Sequence, residues 1–254
     1  MYRIDLNSDL GESFGRYTLG LDDQIIPLVS SANVACGQHA GDPMVMRTTV
    51  GMAKDAGIAI GAHPGYPDLQ GFGRRDMSLS PDEAYSYMLY QIGALQAFCT
   101  AQGVRLAHVK PHGQLYNHAA VDPELASALA QAVRDMDPTL VLVGLANSAL
   151  VDEGRKLGLV TAEEFFADRN YTDEGRLVSR NDPAALIRDE EHAIERVKNA
   201  IREGAVLSVT GKLVDLHPDT LCVHGDSPSA LAFVSRIRQE LEQDDIVIKA
   251  VGAE

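Results

Sequence analysis

Residues 28–63 read LVSSANVACGQHAGDPMVMRTTVGMAKDAGIAIGAH, and this stretch predicts the fold. It opens and closes on short apolar runs, 28–37 and 58–63, and the segment between them begins at Asp42-Pro43 and ends at Gly57. A capping carboxylate before a proline is typical of a helix start, and glycine supplies the left-handed residue that ends a helix. The stretch therefore predicts a strand, a helix and a second strand.

The same alternation continues on both sides of this unit. Further helix starts that pair a capping side chain with proline occur at Ser80-Pro81, Asp122-Pro123, Asp182-Pro183 and Ser227-Pro228. The other apolar runs are 3–10, 106–112, 139–146, 159–166, 206–211 and 221–224. Alternating strands and helices indicate a sheet of parallel strands joined by right-handed crossovers.

Such strands either close into a barrel or spread into a doubly wound sheet. Ionisable residues end nearly every strand, which favours an α/β barrel whose loops converge on one mouth, because a doubly wound sheet would gather them at its switch point. Only about ten residues separate the runs at 206–211 and 221–224, too few for a crossover helix. We therefore predict an irregular (β/α) barrel, with seven strands, as a single domain over residues 1–254.

Composition limits the classes of partner. A formal net charge of -14 over 254 residues argues against nucleic acid or an anionic membrane, and a small anionic substrate would need locally placed cations. Three cysteines without a CxxC spacing indicate reduced thiols, and neither a secretory segment nor a membrane-spanning apolar run is present. We expect a cytoplasmic protein.

The first strand carries a polar row on one face. Asp5, Asn7 and Asp9 alternate with apolar or small residues, so all three side chains point to the same side of the sheet. For Asp5 we expect a hydrogen-bonded network that closes one end of the barrel. For Asp9 we expect chemistry, because it ends the strand at the carboxyl-terminal mouth.

The next two strands each deliver a histidine to the same mouth, His39 and His63. With Asp9 they would make a two-histidine, one-carboxylate metal site. The alternative is that both are satisfied structural residues. The spacing does not separate the two interpretations, since the three ligands would come from different strands.

The densest ionisable cluster is His108, Lys110 and His112, which share one strand face. A buried lysine is rare without a partner or a task. We expect Lys110 to contact substrate or transition state, and an ion pair with Asp9 or Asp226 is the structural alternative.

Two loops add candidates. Arg169 follows the strand at 159–166 and could clamp a carboxylate in a bidentate manner, with Tyr171 beside it. The glycine-rich segment 71–75, after His63, is either a lid over the mouth or a plain surface loop.

Six motifs occur in order along the chain: DLGE at 9–12, SSANVACGQHAGD at 30–42, GAHPGYPD at 61–68, HVKPHGQLYN at 108–117, FADRNY at 166–171 and CVHGD at 222–226. Together they resemble the family of 5-oxoprolinase A subunits, which is also called LamB/YcsF. The resemblance implies an irregular barrel similar to the glycoside hydrolase/deacetylase superfamily, and ATP-dependent opening of 5-oxoproline to L-glutamate with partner subunits B and C.

The resemblance also implies functional positions, but its motifs do not divide them between substrate and nucleotide. These positions are Asp9, Glu12, His39, His63, Lys110, His112, Arg169, His224 and Asp226. We expect catalysis by Asp9, Glu12, Lys110, His112 and Asp226, and substrate binding by His39, His63, Arg169, Tyr171 and His224. ATP would be a co-substrate accompanied by Mg²⁺, without a tightly bound organic cofactor. A metal-dependent deacetylase acting alone, or a binding or regulatory subunit with a vestigial site, are the alternative functions.

Overall fold

The computed structural model describes residues 2–179, 182–223 and 228–252. Within them, parallel strands close into a barrel, because the first strand pairs with the second on one edge and with the last wall strand on the other. In order around the wall, the seven strands are β1 (Arg3–Leu10), β2 (Ser31–Ala35), β3 (Ala59–His63), β4 (Leu106–Val109), β5 (Val141–Leu145), β6 (Thr161–Phe166) and β9 (Thr220–Cys222). The prediction of a seven-stranded barrel is confirmed.

Helices lie between the strands. They are α1 (Asp22–Ile25), α2 (Pro43–Ala56), α3 (Pro81–Gln102), α4 (Gly113–Ala119), α5 (Pro123–Met136), α6 (Ala149–Lys156), α7 (Glu190–Glu203) and α8 (Pro228–Gln243). The chain alternates strand and helix as far as β6, so each crossover brings the next strand back parallel to the one before.

The predicted helix starts are realised by their capping side chains. Asp42 accepts hydrogen bonds from the amides of Met44 and Val45, and Ser80 forms a reciprocal capping box with Glu83. One start was wrong in kind: Asp182 caps only a 3₁₀ turn, and α7 begins later, after Asp189. The start predicted at Ser227 lies outside the described residues.

One predicted strand lies outside the seven-stranded wall. The run at 206–211 contributes β7 (Ala205–Leu207), which pairs antiparallel with β8 (Leu213–Asp215) as a separate hairpin. The short distance to the next run had excluded a crossover helix, and the chain uses that distance for the turn of the hairpin. A final strand, β10 (Val247–Ile248), pairs with the start of β1.

The interior of the barrel differs from its outer layer. Apolar side chains between wall and helices form one large buried cluster, whereas the inward face of β1 carries Asp5 and Asn7, both almost fully buried. The cysteines are buried and free. No helix among the described residues is long and apolar enough to span a membrane.

Candidate active site

A polar network fills the centre of the barrel and leads up to its mouth. Asn33 on β2 donates to the Oδ1 atoms of Asn7 (2.7 Å) and Asp9 (2.8 Å), and His108 on β4 lies 2.7 Å from the Oδ1 atom of Asn33 through its Nε2. Gly61 leaves the space for this imidazole, because a Cβ atom there would collide with the ring of His108. Burial lowers the pKa of His108 to about 3, so the ring is neutral and its Nε2–H donates to the Asn33 oxygen.

Lys110 stands above this network as a buried cation. Its Nζ atom lies 2.7 Å from Glu164 Oε1, 2.9 Å from Asp9 Oδ1 and 3.2 Å from the Cys222 sulfur. Burial by itself would lower the pKa of the ammonium, but the surrounding groups, Asp9 foremost, outweigh it and hold the pKa well above its ordinary value. Lys110 is therefore charged, and the predicted pairing with Asp9 is present.

Glu164 is the central residue that sequence reasoning missed. It is fully buried on β6, where Oε1 accepts from Asn7 (3.0 Å) as well as Lys110, and Oε2 accepts from the Tyr116 hydroxyl at 2.7 Å. Two adjacent glutamates on a predicted buried strand, Glu163 and Glu164, were the available signal, because buried glutamates are almost always paired. The alternation along the sequence TAEEFF places Glu164 inward and Phe165 outward.

Three imidazoles line the other side of the mouth. His63 ends β3, and His112 follows β4 on a stretch that continues the ladder through the hydrogen bond from His112 N to Pro64 O. Their facing nitrogens, His63 Nε2 and His112 Nδ1, are 3.0 Å apart. The ring of His39 stacks on that of His112 with 3.6 Å between centroids and an interplanar angle of 3°.

Glu12 joins this group through the turn after β1. Its Oε1 atom lies 3.4 Å from His39 Nε2 and 3.5 Å from His112 Nδ1. Burial is the main cause that lowers the pKa values of both His39 and His112, and the neighbouring imidazoles lower them further. Both rings are therefore neutral near pH 7.

The residues that could hold a metal include His39 and His63 of the predicted trio. Glu12, His39, His63 and His112 each offer one ligand atom, these atoms lie within 4.8 Å of one another, and the four residues could hold a metal ion. Asp9, which was predicted in the trio, instead contacts Lys110, with its second oxygen 3.3 Å from His63 Nε2. Asp9 thus joins the lysine side of the mouth to the imidazole side.

The glycine-rich segment 71–75 covers the imidazoles. The carbonyl of Phe72 accepts a hydrogen bond from His112 Nε2 at 2.8 Å, and a Cβ atom at Gly73 would come within 2.8 Å of both His39 and His112. Asp68 and Arg75 form an ion pair that closes the base of the loop. The segment is therefore packed onto the site.

Residues after β6 take different positions. Arg169 is buried and donates to the Val178 carbonyl at 2.6 Å. Tyr171 is stacked on the outward-facing Phe165, and its hydroxyl accepts from the Phe166 amide at 3.0 Å. Direct substrate contact by Arg169 and Tyr171 stays a prediction. For Tyr171, packing against the outward-facing Phe165 does not support it. The predicted His224 and Asp226 lie outside the described residues.

The arrangement combines three kinds of chemistry at one mouth. Lys110 is a fixed positive charge that could stabilise a developing oxyanion, Asp9 is a partly exposed carboxylate that could accept a proton, and neutral imidazoles could bind a cation or move protons. These features define a (β/α) barrel with an ionisable site at the carboxyl-terminal ends of its strands.

Comparison with known proteins narrows this class. The family model described as LamB/YcsF family matches residues 4–254, and the chain belongs to that family. The A subunit of 5-oxoprolinase from Staphylococcus aureus strain MSSA476 is 55% identical over 249 residues, covering 98% of this chain and 100% of the relative.

Solved structures agree with this assignment. The lactam utilization protein from Thermus thermophilus superposes with a TM-score of 0.92 at 47% identity, covering 98% of this chain and 99% of that one. A family 4 carbohydrate esterase from Streptomyces lividans aligns over 98% of this chain and 93% of its own, but at 14% identity and a TM-score of 0.48. This second likeness is too remote to bear on activity.

Proposed function

We propose that this chain is the lactam-binding subunit of an ATP-dependent 5-oxoprolinase, which opens 5-oxoproline to L-glutamate together with further subunits. The observation that carries the proposal is the Lys110–Asp9 pair at the mouth of a chain 55% identical to proteins named as the A subunit of 5-oxoprolinase. These relatives are named as subunits, which supports the presence of partner chains in a complex. We propose that the partners are subunits B and C.

The chemistry of the substrate explains the need for ATP. A lactam carbonyl is a poor electrophile. Transfer of a phosphoryl group from ATP to its oxygen releases ADP and makes the ring carbon more electrophilic. Water adds to that carbon, the ring nitrogen leaves as an amine after gaining a proton, and an acyl phosphate remains. A second water releases phosphate and leaves the side-chain carboxylate of glutamate.

We assign the roles from the contacts at the mouth. Lys110 stabilises the negative charge that develops on the lactam or phosphoryl oxygen, and Asp9 takes the proton of the attacking water. Glu164 holds the ammonium in place from below. Arg169 remains our candidate for the substrate carboxylate, and Mg²⁺ would accompany the nucleotide.

Reconstitution tests this proposal. Chain and partner subunits are mixed, and glutamate and ADP are measured with and without 5-oxoproline. We expect ADP release that depends on 5-oxoproline and on every subunit. Glutamate formation by the isolated chain without ATP would instead establish the second candidate, a metal-dependent amidohydrolase, which the cluster of Glu12 and three histidines favours.

Binding separates the proposal from a purely regulatory subunit. Titration of 5-oxoproline into the isolated chain, followed by calorimetry, is expected to give saturable binding that Arg169→Ala weakens. Binding that is found only in a partner subunit would refute a lactam site on this chain.

A further inference from the structure

The imidazole side of the mouth contains two nitrogens whose protonation is fixed by their neighbours. His63 Nδ1 lies 2.7 Å from the Lys110 carbonyl, and His112 Nε2 lies 2.8 Å from the Phe72 carbonyl. A carbonyl oxygen only accepts, so each of these nitrogens carries the hydrogen of its ring. In neutral rings, His63 Nε2 and His112 Nδ1 are then bare acceptors.

These two acceptors face one another at 3.0 Å. Lone pairs at that distance repel unless a cation lies between them. The carboxylate of Glu12 adds a further acceptor, 3.5 Å from His112 Nδ1. Three acceptors from the ends of three different strands therefore lie together at the mouth of the barrel.

We infer that His63 Nε2, His112 Nδ1 and the Glu12 carboxylate bind a divalent transition-metal ion, with the ring of His39 stacked on His112 beside the site. Backbone carbonyls that hold the remote nitrogen of a histidine are the usual support of a metal-ligating imidazole. The proposal stands independently of the proposed function, since it concerns these side chains alone.

The distances fit such an ion. Ligands about 2.0–2.1 Å from a tetrahedral zinc ion lie roughly 3.4 Å from one another. The corresponding separations here are 3.0 Å between His63 and His112 and 3.5 Å between His112 and Glu12, and all the candidate ligand atoms lie within 4.8 Å of one another. A site rich in imidazole suits zinc and similar divalent transition metals. Mg²⁺ prefers oxygen ligands and is not expected to bind here.

The charges around the site favour a bound cation. Asp9 and Glu164 both contact the ammonium of Lys110, and Glu12 places a third carboxylate beside the imidazoles, so an added positive charge is electrostatically favoured. A divalent ion bound here would supply Lewis-acid polarisation of an oxygen ligand.

Zinc titration of the metal-stripped full chain tests the inference. Calorimetry with Zn²⁺, without substrate or ATP, is expected to show one ion per chain, and Co²⁺ in its place should give a visible absorption band of nitrogen-ligated cobalt. The double variant His63→Gln/His112→Gln should weaken binding on the order of 100-fold or more. His118→Gln, which alters a half-buried histidine outside the site, is the matched control and should bind as the wild type does.

A second variant distinguishes loss of metal binding from misfolding. Glu12→Gln changes a side chain on a turn and should keep the circular dichroism spectrum of the metal-free wild type. Its thermal midpoint should no longer rise on adding Zn²⁺. Absence of stoichiometric metal in the wild type, or equal zinc affinity in wild type and double variant, would overturn the inference. So would nitrogen NMR that finds a proton between His63 and His112 in a chain that takes up no metal. Loss of lactam hydrolysis with metal binding intact would instead count against the proposed function.

Discussion

Asp5 and Asp9 are the same residue type on the same face of the same strand, yet they serve opposite ends of the barrel. Asp5 accepts hydrogen bonds from the hydroxyls of Ser30 (2.6 Å), Ser31 (2.7 Å) and Thr220 (2.5 Å), all neutral donors. Burial, which these hydrogen bonds oppose, raises its pKa.

Asp9 has charged and basic neighbours instead. One of its oxygens faces the Lys110 ammonium and the other faces His63, and its side chain is 17% exposed. The comparison teaches that an inward acid is structural where neutral donors from neighbouring strands fill its lone pairs. It is available for chemistry where its partners are themselves ionisable and solvent or substrate can reach it.

The largest effect should follow from removing the cation on the Asp9 side. In Lys110→Met, 5-oxoproline-dependent turnover of the reconstituted enzyme should fall about 1000-fold, because the fixed charge that stabilises the transition state is lost. Two carboxylates also lose their buried partner, and breaking such a pair costs about 3–5 kcal/mol of the free energy of unfolding.

A double variant separates the two consequences. Lys110→Met/Glu164→Gln should recover part of the stability, measured by urea unfolding, without recovering turnover. The matched control is Lys156→Met, which removes an exposed lysine paired with Glu153 and should leave both quantities unchanged. Turnover restored in the double variant would show that Lys110 acts only through stability.

Asp9→Asn should produce the next largest effect. The amide keeps the shape of the side chain and Lys110 keeps Glu164, so the thermal midpoint should shift little. Turnover should drop about 100-fold, because an amide cannot act as a general base. The measurement is kcat of the assembled enzyme beside the thermal midpoint, and wild-type kcat in this variant would remove Asp9 from proton transfer.

Asp5→Asn should show the reverse pattern. One oxygen of Asp5 accepts from Ser30 and Ser31 and the other accepts from Thr220. The NH₂ group of the amide replaces one of these acceptors, and leaving buried donors unsatisfied costs about 1–3 kcal/mol. Urea unfolding should therefore detect a loss of about 2 kcal/mol, with kcat unchanged. If Asp5→Asn lowered kcat as far as Asp9→Asn, the distinction between the closed end and the mouth would fail.

The sequence predicted the residues at the mouth of the barrel better than it predicted the buried Glu164. Period-two alternation placed Asp5 and Asp9 on one face, and strand-end position assigned Asp9, Lys110, His63 and His112 to one mouth, as the structure shows. Glu164 was missed because its partners come from β1 and from α4, and no local pattern reports a contact between strands far apart in the chain.

The make-up of the candidate metal cluster was beyond the sequence for a related reason. Glu12 rather than Asp9 contacts His112, because the turn after β1 directs Glu12 toward the imidazoles. Asp9 forms an ion pair with Lys110 through one of its oxygens. Side-chain type and strand order restrict the candidates, but the direction of a turn decides which acid reaches which base. The hairpin of β7 and β8 illustrates the same limit, because an apolar run alone does not say which sheet it joins.

His108 lies between the two ends, and its effect on the free energy of unfolding is small at pH 7 and grows as the pH is lowered. Its folded pKa is about 3 and its unfolded value is near 6.5, so below pH 6.5 the unfolded chain binds a proton that the folded chain excludes. Stability should therefore fall as the pH is lowered from 7 to 5. In His108→Gln, whose side-chain NH₂ can still donate to Asn33, the loss over this range should be smaller by about 2 kcal/mol. Urea unfolding at several pH values measures this slope. A slope equal to that of the wild type would mean that His108 takes up a proton in the folded protein as readily as in the unfolded chain.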